Sequence, residues 1–228
     1  MKRSQVNAAI DAGRATLARI GFALPGFSTW SLDRWKEMKP RIPDIVKTGM
    51  GWDVTDFGSG DFARTGATIF TVRNGHPHDP AAGVPYAEKI IIQTEGQTIP
   101  LHFHFKKTED IINRGGGILC VQLYNSRPDG SLDQAGSPRI KRDGVWQTFT
   151  PGEVFEVAPG DSITLTPLVY HAFWARKGAG TLVCGEVSSI NDDNIDNRFA
   201  EPLPRYAAIE EDEPARYILC NEYEKVLH

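Results

Sequence analysis

No stretch of the 228-residue chain approaches the roughly 18 consecutive apolar residues of a membrane-spanning helix. A surplus of basic residues is also missing: 25 Lys and Arg face 29 Asp and Glu, a formal net charge of −4. That balance argues against a nucleic-acid binder held by phosphate contacts. Cysteine is scarce and odd in number, and Cys120, Cys184 and Cys220 each lie in or beside an apolar stretch. A disulfide scaffold is therefore not expected; three small buried hydrophobes in a reducing cytoplasm are. Lys2 and Arg3 could open a secretory leader, but Asp11, Arg14 and Arg19 interrupt its apolar region, so none is expected. No internal repeat of solenoid or propeller period is present.

What is present is an ordinary globular composition. Hydrophobic residues make up 40% and charged residues 24%, which excludes wholesale disorder. The 22 Gly and 15 Pro exceed the usual share and point to many turns between short strands.

Residues 4–20 carry an amphipathic helical pattern, with Ser4 as N-cap and Val6, Ile10, Gly13, Leu17 and Ile20 on one face. A second short helix is predicted from Ser31, with Leu32, Trp35 and Met38 together, before Pro40 and Pro43 end it. From Trp52 the pattern changes to short β-type runs. Strands are predicted at 68–72, 88–94, 99–105, 110–113, 118–124, 147–157, 162–166, 171–175 and 181–188. Turn signals separate them, among them Asn74-Gly75, Glu95-Gly96, Pro128-Asp129-Gly130 and Pro159-Gly160. Closely spaced strands without intervening helices imply an all-β sandwich, jelly roll or barrel. One domain is expected: a helical extension (1–50), a β-barrel core (51–190) and a C-terminal segment (191–228) packing back on the barrel.

The segment that carries chemistry runs from Gly96 to Glu109. Side chains alternate along a strand, so His102 and His104 share one face while Phe103 and Phe105 share the other. After a short turn, Glu109 can bring a carboxylate oxygen to the same point. His171, opening another strand after Pro167, offers a third imidazole. Three imidazoles and a carboxylate suit a divalent transition metal with positions left open for substrate or water.

This spacing resembles the cupin superfamily. Gly96, His102, His104, Glu109 and Gly116 fit its first motif throughout; Gly160, Pro167 and His171 meet the second in part, with Ala175 where an Asn stands in the pattern. The resemblance implies a jelly-roll β-barrel with the N-terminal helices packed outside. A longer similarity, through Lys89–His104, Tyr170–Trp174, Gly185–Ser189 and Asn191–Phe199, resembles the D-lyxose isomerase family of cupins. That resemblance implies a metal-dependent homodimer, usually with Mn(II), interconverting D-lyxose with D-xylulose and often D-mannose with D-fructose.

Moving a carbonyl between C1 and C2 needs a carboxylate to shuttle a proton through an enediolate. Glu186 is the candidate, an isolated acid on the apolar strand 181–188 whose place before Val187-Ser188 matches the family's functional Glu. Glu109 could share the role. By the same resemblance Lys89 lies close to the sugar oxygens, and Asp196 and Arg198 are candidates to hold the distal hydroxyls. Two alternatives share the fold: a non-haem iron dioxygenase, which expects an apolar pocket, and a sugar-binding module without catalysis. His76-Pro77-His78 repeats the His-x-His spacing, but its prolines put it in a loop near the pocket mouth. Asp192–Asp196 only faintly resembles a calcium loop, and Glu210–Glu213 reads as a solvated acidic turn.

Overall fold

The structure is a computed structural model that describes residues 1–190 and 195–227. Residues 191–194, which hold most of the calcium-loop-like run and part of the Asn191–Phe199 similarity, lie outside the described residues, as does His228.

Helix α1 spans Arg3–Arg19 and buries Val6, Ile10, Gly13 and Leu17, the face its periodicity predicts. Its cap differs from expectation. Lys2 is the N-cap residue, and its amide donates to the Gln5 side chain at 2.9 Å. Helix α2 (Leu32–Met38) starts as predicted, with the Ser31 hydroxyl accepting from the Arg34 amide; it buries Trp35 but leaves Leu32 exposed. A single-turn helix α3 (Pro43–Lys47) leads into the strands.

The strands are β1 (Gly51–Thr55), β2 (Ala67–His76), β3 (Asp79–Gln93), β4 (Thr98–His104), β5 (Glu109–Gly115), β6 (Leu119–Ser126) and β7 (Leu132–Asp133). They continue with β8 (Arg139–Arg142), β9 (Val145–Thr148), β10 (Val154–Val157), β11 (Ser162–Leu165), β12 (Val169–Ala175), β13 (Leu182–Ser188) and β14 (Asn197–Phe199). Helix α4 (Tyr223–Leu227) follows them. Two sheets form, in the orders β1-β2-β3-β13-β5-β11-β8-β9 and β10-β6-β12-β4-β14. Their strands pair antiparallel. The all-β reading therefore holds.

Two details depart from expectation for local reasons. The chain passes through Asn74-Gly75 without turning, and the β2–β3 hairpin closes at Pro77-His78. Gly75 and Gly83 face each other there, and a Cβ on either would strike a carbonyl of the opposite strand, so close strand approach explains these glycines. The predicted 147–157 strand is two strands, because a turn through Pro151 and Gly152 (φ +78°) breaks it.

Alternation across the larger sheet builds two cores. Ile69, Ile91, Ile111, Ile163 and Cys184 face the smaller sheet and meet Val121, Leu123 and Phe173. Their sequence neighbours Phe70, Ile90, Ile92 and Val183 face outward and are covered by Val6, Ile10, Leu17 and Trp35 of the helices. The helices thus take up the outer face, leaving the concave face between the sheets for other uses.

The acidic turn at 210–213 is not simply solvated. Arg3, only 2% exposed, donates from Nε to Glu211 at 2.8 Å and also pairs with Glu222. Ser4 Oγ donates to Asp212 at 2.6 Å, and Asn7 to Glu213 at 2.6 Å. Asp11 accepts from Tyr217 and Arg216. The C-terminal segment is clasped to α1 through these contacts. The bond from Arg3 holds the Glu211 carboxyl below its ordinary 4.5, the bond from Ser4 holds Asp212 below 3.8, and the bond from Tyr217 holds Asp11 below 3.8. Groups lowered on folding stabilise above their unfolded values and lose that contribution as pH falls through the folded ones. The urea midpoint should therefore drop as pH is lowered from about 6 to about 3. Arg3→Met should lower stability at neutral pH by about 2 kcal/mol and flatten that dependence; an unchanged pH profile in the variant would count against the clasp.

Candidate metal centre

Strand parity sends a set of polar side chains into the concave face. Lys89 has the parity of Ile91 on β3, and Glu186 that of Cys184 on β13; the two are direct cross-strand partners. Glu109 has the parity of Ile111 on β5 and stands opposite Ser188. On β12, His171 alternates with Phe173 toward the same side. Strand β4 needs a correction to its regular alternation: His102 pairs with His171 but Ile99 with Phe173, so one extra residue is accommodated at Pro100-Leu101. This bulge turns both Ile99 and His102 inward and brings the Pro100 carbonyl onto the His102 ring.

The reactive nitrogens of His102, His104 and His171 lie within 4.8 Å of one another, all buried. His102 Nδ1 contacts the Pro100 carbonyl at 2.7 Å, and His171 Nδ1 the Val169 carbonyl at 3.0 Å. A carbonyl only accepts, so both rings carry their proton on Nδ1 and present a bare Nε2. Glu109 Oε1 then sits 3.0 Å from His171 Nε2 and 3.4 Å from His104 Nε2. For His171 this sets two electron-pair donors face to face. Glu109 Oε1, His171 Nε2 and His104 Nε2 are buried without hydrogen-bond partners. Unsatisfied buried acceptors are costly, and a shared divalent cation would relieve all of them. The donor set fits a metal on these grounds.

Charged groups surround the imidazoles. Lys107 Nζ lies 2.6 Å from Glu109 Oε2 and 3.0 Å from Glu186 Oε1. Lys89 Nζ is 3.4 Å from Glu186 Oε1, and Ser188 Oγ donates to the same oxygen at 3.3 Å. Burial, then the neighbouring imidazoles, pushes His102 well below the ordinary imidazole value; burial and the Lys107 ammonium lower His104. Burial alone would raise the Glu109 carboxyl, but the Lys107 ammonium beside it outweighs this and holds the group well below the usual range.

Six of the residues singled out from sequence (Lys89, His102, His104, Glu109, His171 and Glu186) are thus gathered on one face. The remaining two do other things. Asp196 is buried and accepts from the Lys106 and Lys107 amides at 2.9 and 3.1 Å. Arg198 is exposed, its guanidinium over Gly130 in a separate cavity with Asp129 and Leu168. Sequence reasoning missed Lys107, which sits in the β4–β5 turn, and the pair Arg205–Asp53, joined at 2.7 Å. Arg205 and Lys89 border two adjoining cavities. One, of about 50 Å³, reaches His102, His104 and Glu186; the other, of about 250 Å³, is lined by Asp53, Asn74, His76 and His78. The His76–His78 loop therefore lies near the mouth, as expected, and not among the imidazoles.

Comparison with known proteins agrees with the motif reading. The family model described as D-lyxose isomerase matches residues 1–223. A D-lyxose/D-mannose isomerase of Serratia proteamaculans is 46% identical over 98% of each chain, and one of Escherichia coli O157:H7 is 44% identical over 98% of each. The L-ribose isomerase of Cellulomonas parahominis, solved with L-ribose, shares the fold at 18% identity and a TM-score of 0.59, over 92% of this chain and 98% of that one.

Titrating Mn(II) into chelator-treated protein should raise its thermal midpoint, because a ligand that binds the folded state stabilises it. In His102→Ala the metal affinity should fall at least about tenfold, with little or no midpoint shift at the same Mn(II) concentration. An equal shift in the variant would remove His102 from the ligand set.

Proposed function

This chain belongs to the D-lyxose isomerase family, and from that premise we propose that it interconverts D-lyxose with D-xylulose, and D-mannose with D-fructose, with Mn(II) as its metal. The observation that carries the reading is the Glu186 carboxylate, 5% exposed, standing among two lysines beside the three converging imidazoles.

His102, His104, Glu109 and His171 would hold the ion, which supplies Lewis-acid polarisation of the sugar's carbonyl and neighbouring hydroxyl oxygens. The chain's own groups do the rest. Glu186 takes the proton from C2 of the aldose and delivers it to C1, so that the carbonyl moves from C1 to C2. Glu109 shares proton movement on the oxygen side. Lys89 and Lys107 hold the Glu186 carboxylate by ion pairs, and Lys89 also reaches toward the sugar oxygens. The apolar wall of Phe57, Ile91, Ile99 and Phe173 limits water around the reacting carbons.

The two cavities suit an elongated polyol. The smaller admits little more than the reacting end, and the larger, with Asp53, Asn74 and Arg205, supports hydroxyl binding at the distal end. This polar chamber favours a sugar over the aromatic substrate that a cupin dioxygenase would need. The family resemblance adds a homodimer, and the three free cysteines fit a reducing cytoplasm; among the described residues no helix is long and apolar enough to cross a membrane.

An aldose panel assayed after EDTA treatment should show no turnover until Mn(II) is restored, then conversion of D-lyxose and D-mannose without oxygen. Glu186→Gln should keep its metal and its fold while turnover falls by about 10²–10⁴-fold, the usual worth of general acid–base catalysis. Near-normal turnover in that variant would leave Glu186 without a part in the reaction.

A further inference from the structure

Lys107 has the geometry of a bridge between the site's two carboxylates. Its side chain is 2% exposed, and its ammonium meets Glu109 Oε2 at 2.6 Å and Glu186 Oε1 at 3.0 Å. The two oxygens of Glu109 are thereby divided, Oε1 toward His104 and His171 and Oε2 toward the ammonium. The neighbouring Lys106 is exposed, so burial of Lys107 is specific to its place in the turn.

That place is fixed from outside the site. Asp196 accepts from the amides of Phe105, Lys106 and Lys107, through its carbonyl at 3.0 Å, Oδ1 at 2.9 Å and Oδ2 at 3.1 Å. Three successive amides on one residue leave the turn little freedom, and Asp196 immediately precedes β14, which pairs with the edge of β4. A rigid turn makes the ammonium a fixed point against which both carboxylates are set.

We propose that Lys107, locked by Asp196, is a positioning residue that holds Glu186 against the reacting carbons. This rests on the isomerase reading for its effect on turnover, but not for its effect on metal binding. Metal affinity needs the three imidazoles and Glu109 Oε1, all of which survive loss of Lys107. Removing a neighbouring positive charge also favours a dication. Turnover, by contrast, depends on carboxylate placement, where an error near 1 Å costs about 10²-fold.

The test compares wild type with Lys107→Met, Lys107→Arg and Asp196→Asn, reading kcat and KM on D-lyxose and Mn(II) affinity on chelator-treated protein. In Lys107→Met, kcat should fall about 10²-fold, with KM changed less than about threefold and Mn(II) bound as tightly as in wild type or more so. Lys107→Arg, whose planar fork can bridge two carboxylates, should recover most of the loss. Asp196→Asn should lower kcat in the same direction by a smaller factor. Loss of Mn(II) affinity in parallel with kcat would overturn the proposal, as would a Lys107→Met enzyme within about threefold of wild-type turnover. If Lys107→Met does not fold, an arginine variant as inactive as Glu186→Gln, or an Asp196→Asn variant indistinguishable from wild type, would overturn it equally. A wild-type protein inactive on the whole aldose panel would refute the isomerase reading, whereas the Mn(II) affinities report on Lys107 separately.

Discussion

Four charged side chains, Lys89, Lys107, Glu109 and Glu186, are each at most 6% exposed and lie in contact with one another. Burying any one of them alone would be prohibitive, since an isolated ion in a low-dielectric interior loses its hydration without recompense. Paired, they sum to no net charge, and the concave face can remain both dry and strongly polar. The same burial pushes His102 and His104 below the ordinary imidazole value, which favours rings that offer lone pairs. Two features of the site follow from this arrangement: the converging donor set and the carboxylates of Glu109 and Glu186 held on one ammonium.

The remainder of the structure keeps that face in place. Strand alternation separates one apolar set, which packs between the sheets, from another that receives α1 and α2 on the outside. The C-terminal segment then ties α1 down through Arg3, Ser4, Asn7 and Asp11. The polar contacts that tie down the C-terminal segment lie on the outer face, and the three imidazoles with their neighbouring carboxylates lie on the inner one. Glycines of the first motif serve the same end: Gly96 takes φ +74° in the turn before β4, and a Cβ on Gly116 would collide with the Thr181 carbonyl.

Much of the site was legible because period-two alternation is a geometric rule that sequence displays directly. His102 with His104, and Glu186 on an apolar strand, follow from it, and the spacing to Glu109 extends it across one short turn. What stayed hidden depends on long-range contacts. Lys106 and Lys107 are the same residue type side by side, and the burial of Lys107 shows only once Asp196 holds the turn and Glu109 and Glu186 meet the ammonium. Arg205 and Asp53 are separated by some 150 residues and meet only through the fold. The acidic residues at 210–213 read as solvated because their partners lie at the opposite end of the chain. The bulge at Pro100 is invisible to alternation, since it is an exception to it, yet it aligns His102 with His171.

The central claim is that a buried carboxylate moves a proton, and not a hydride, between adjacent carbons of a sugar. D-lyxose carrying deuterium at C2 can be converted by the Mn(II)-loaded protein in ordinary water, and the D-xylulose analysed at C1 by NMR. Transfer through Glu186 predicts that part of the deuterium is lost to solvent, with exchange growing over repeated turnover. Complete retention of deuterium at C1, sustained through many rounds of forward and reverse reaction, would contradict it.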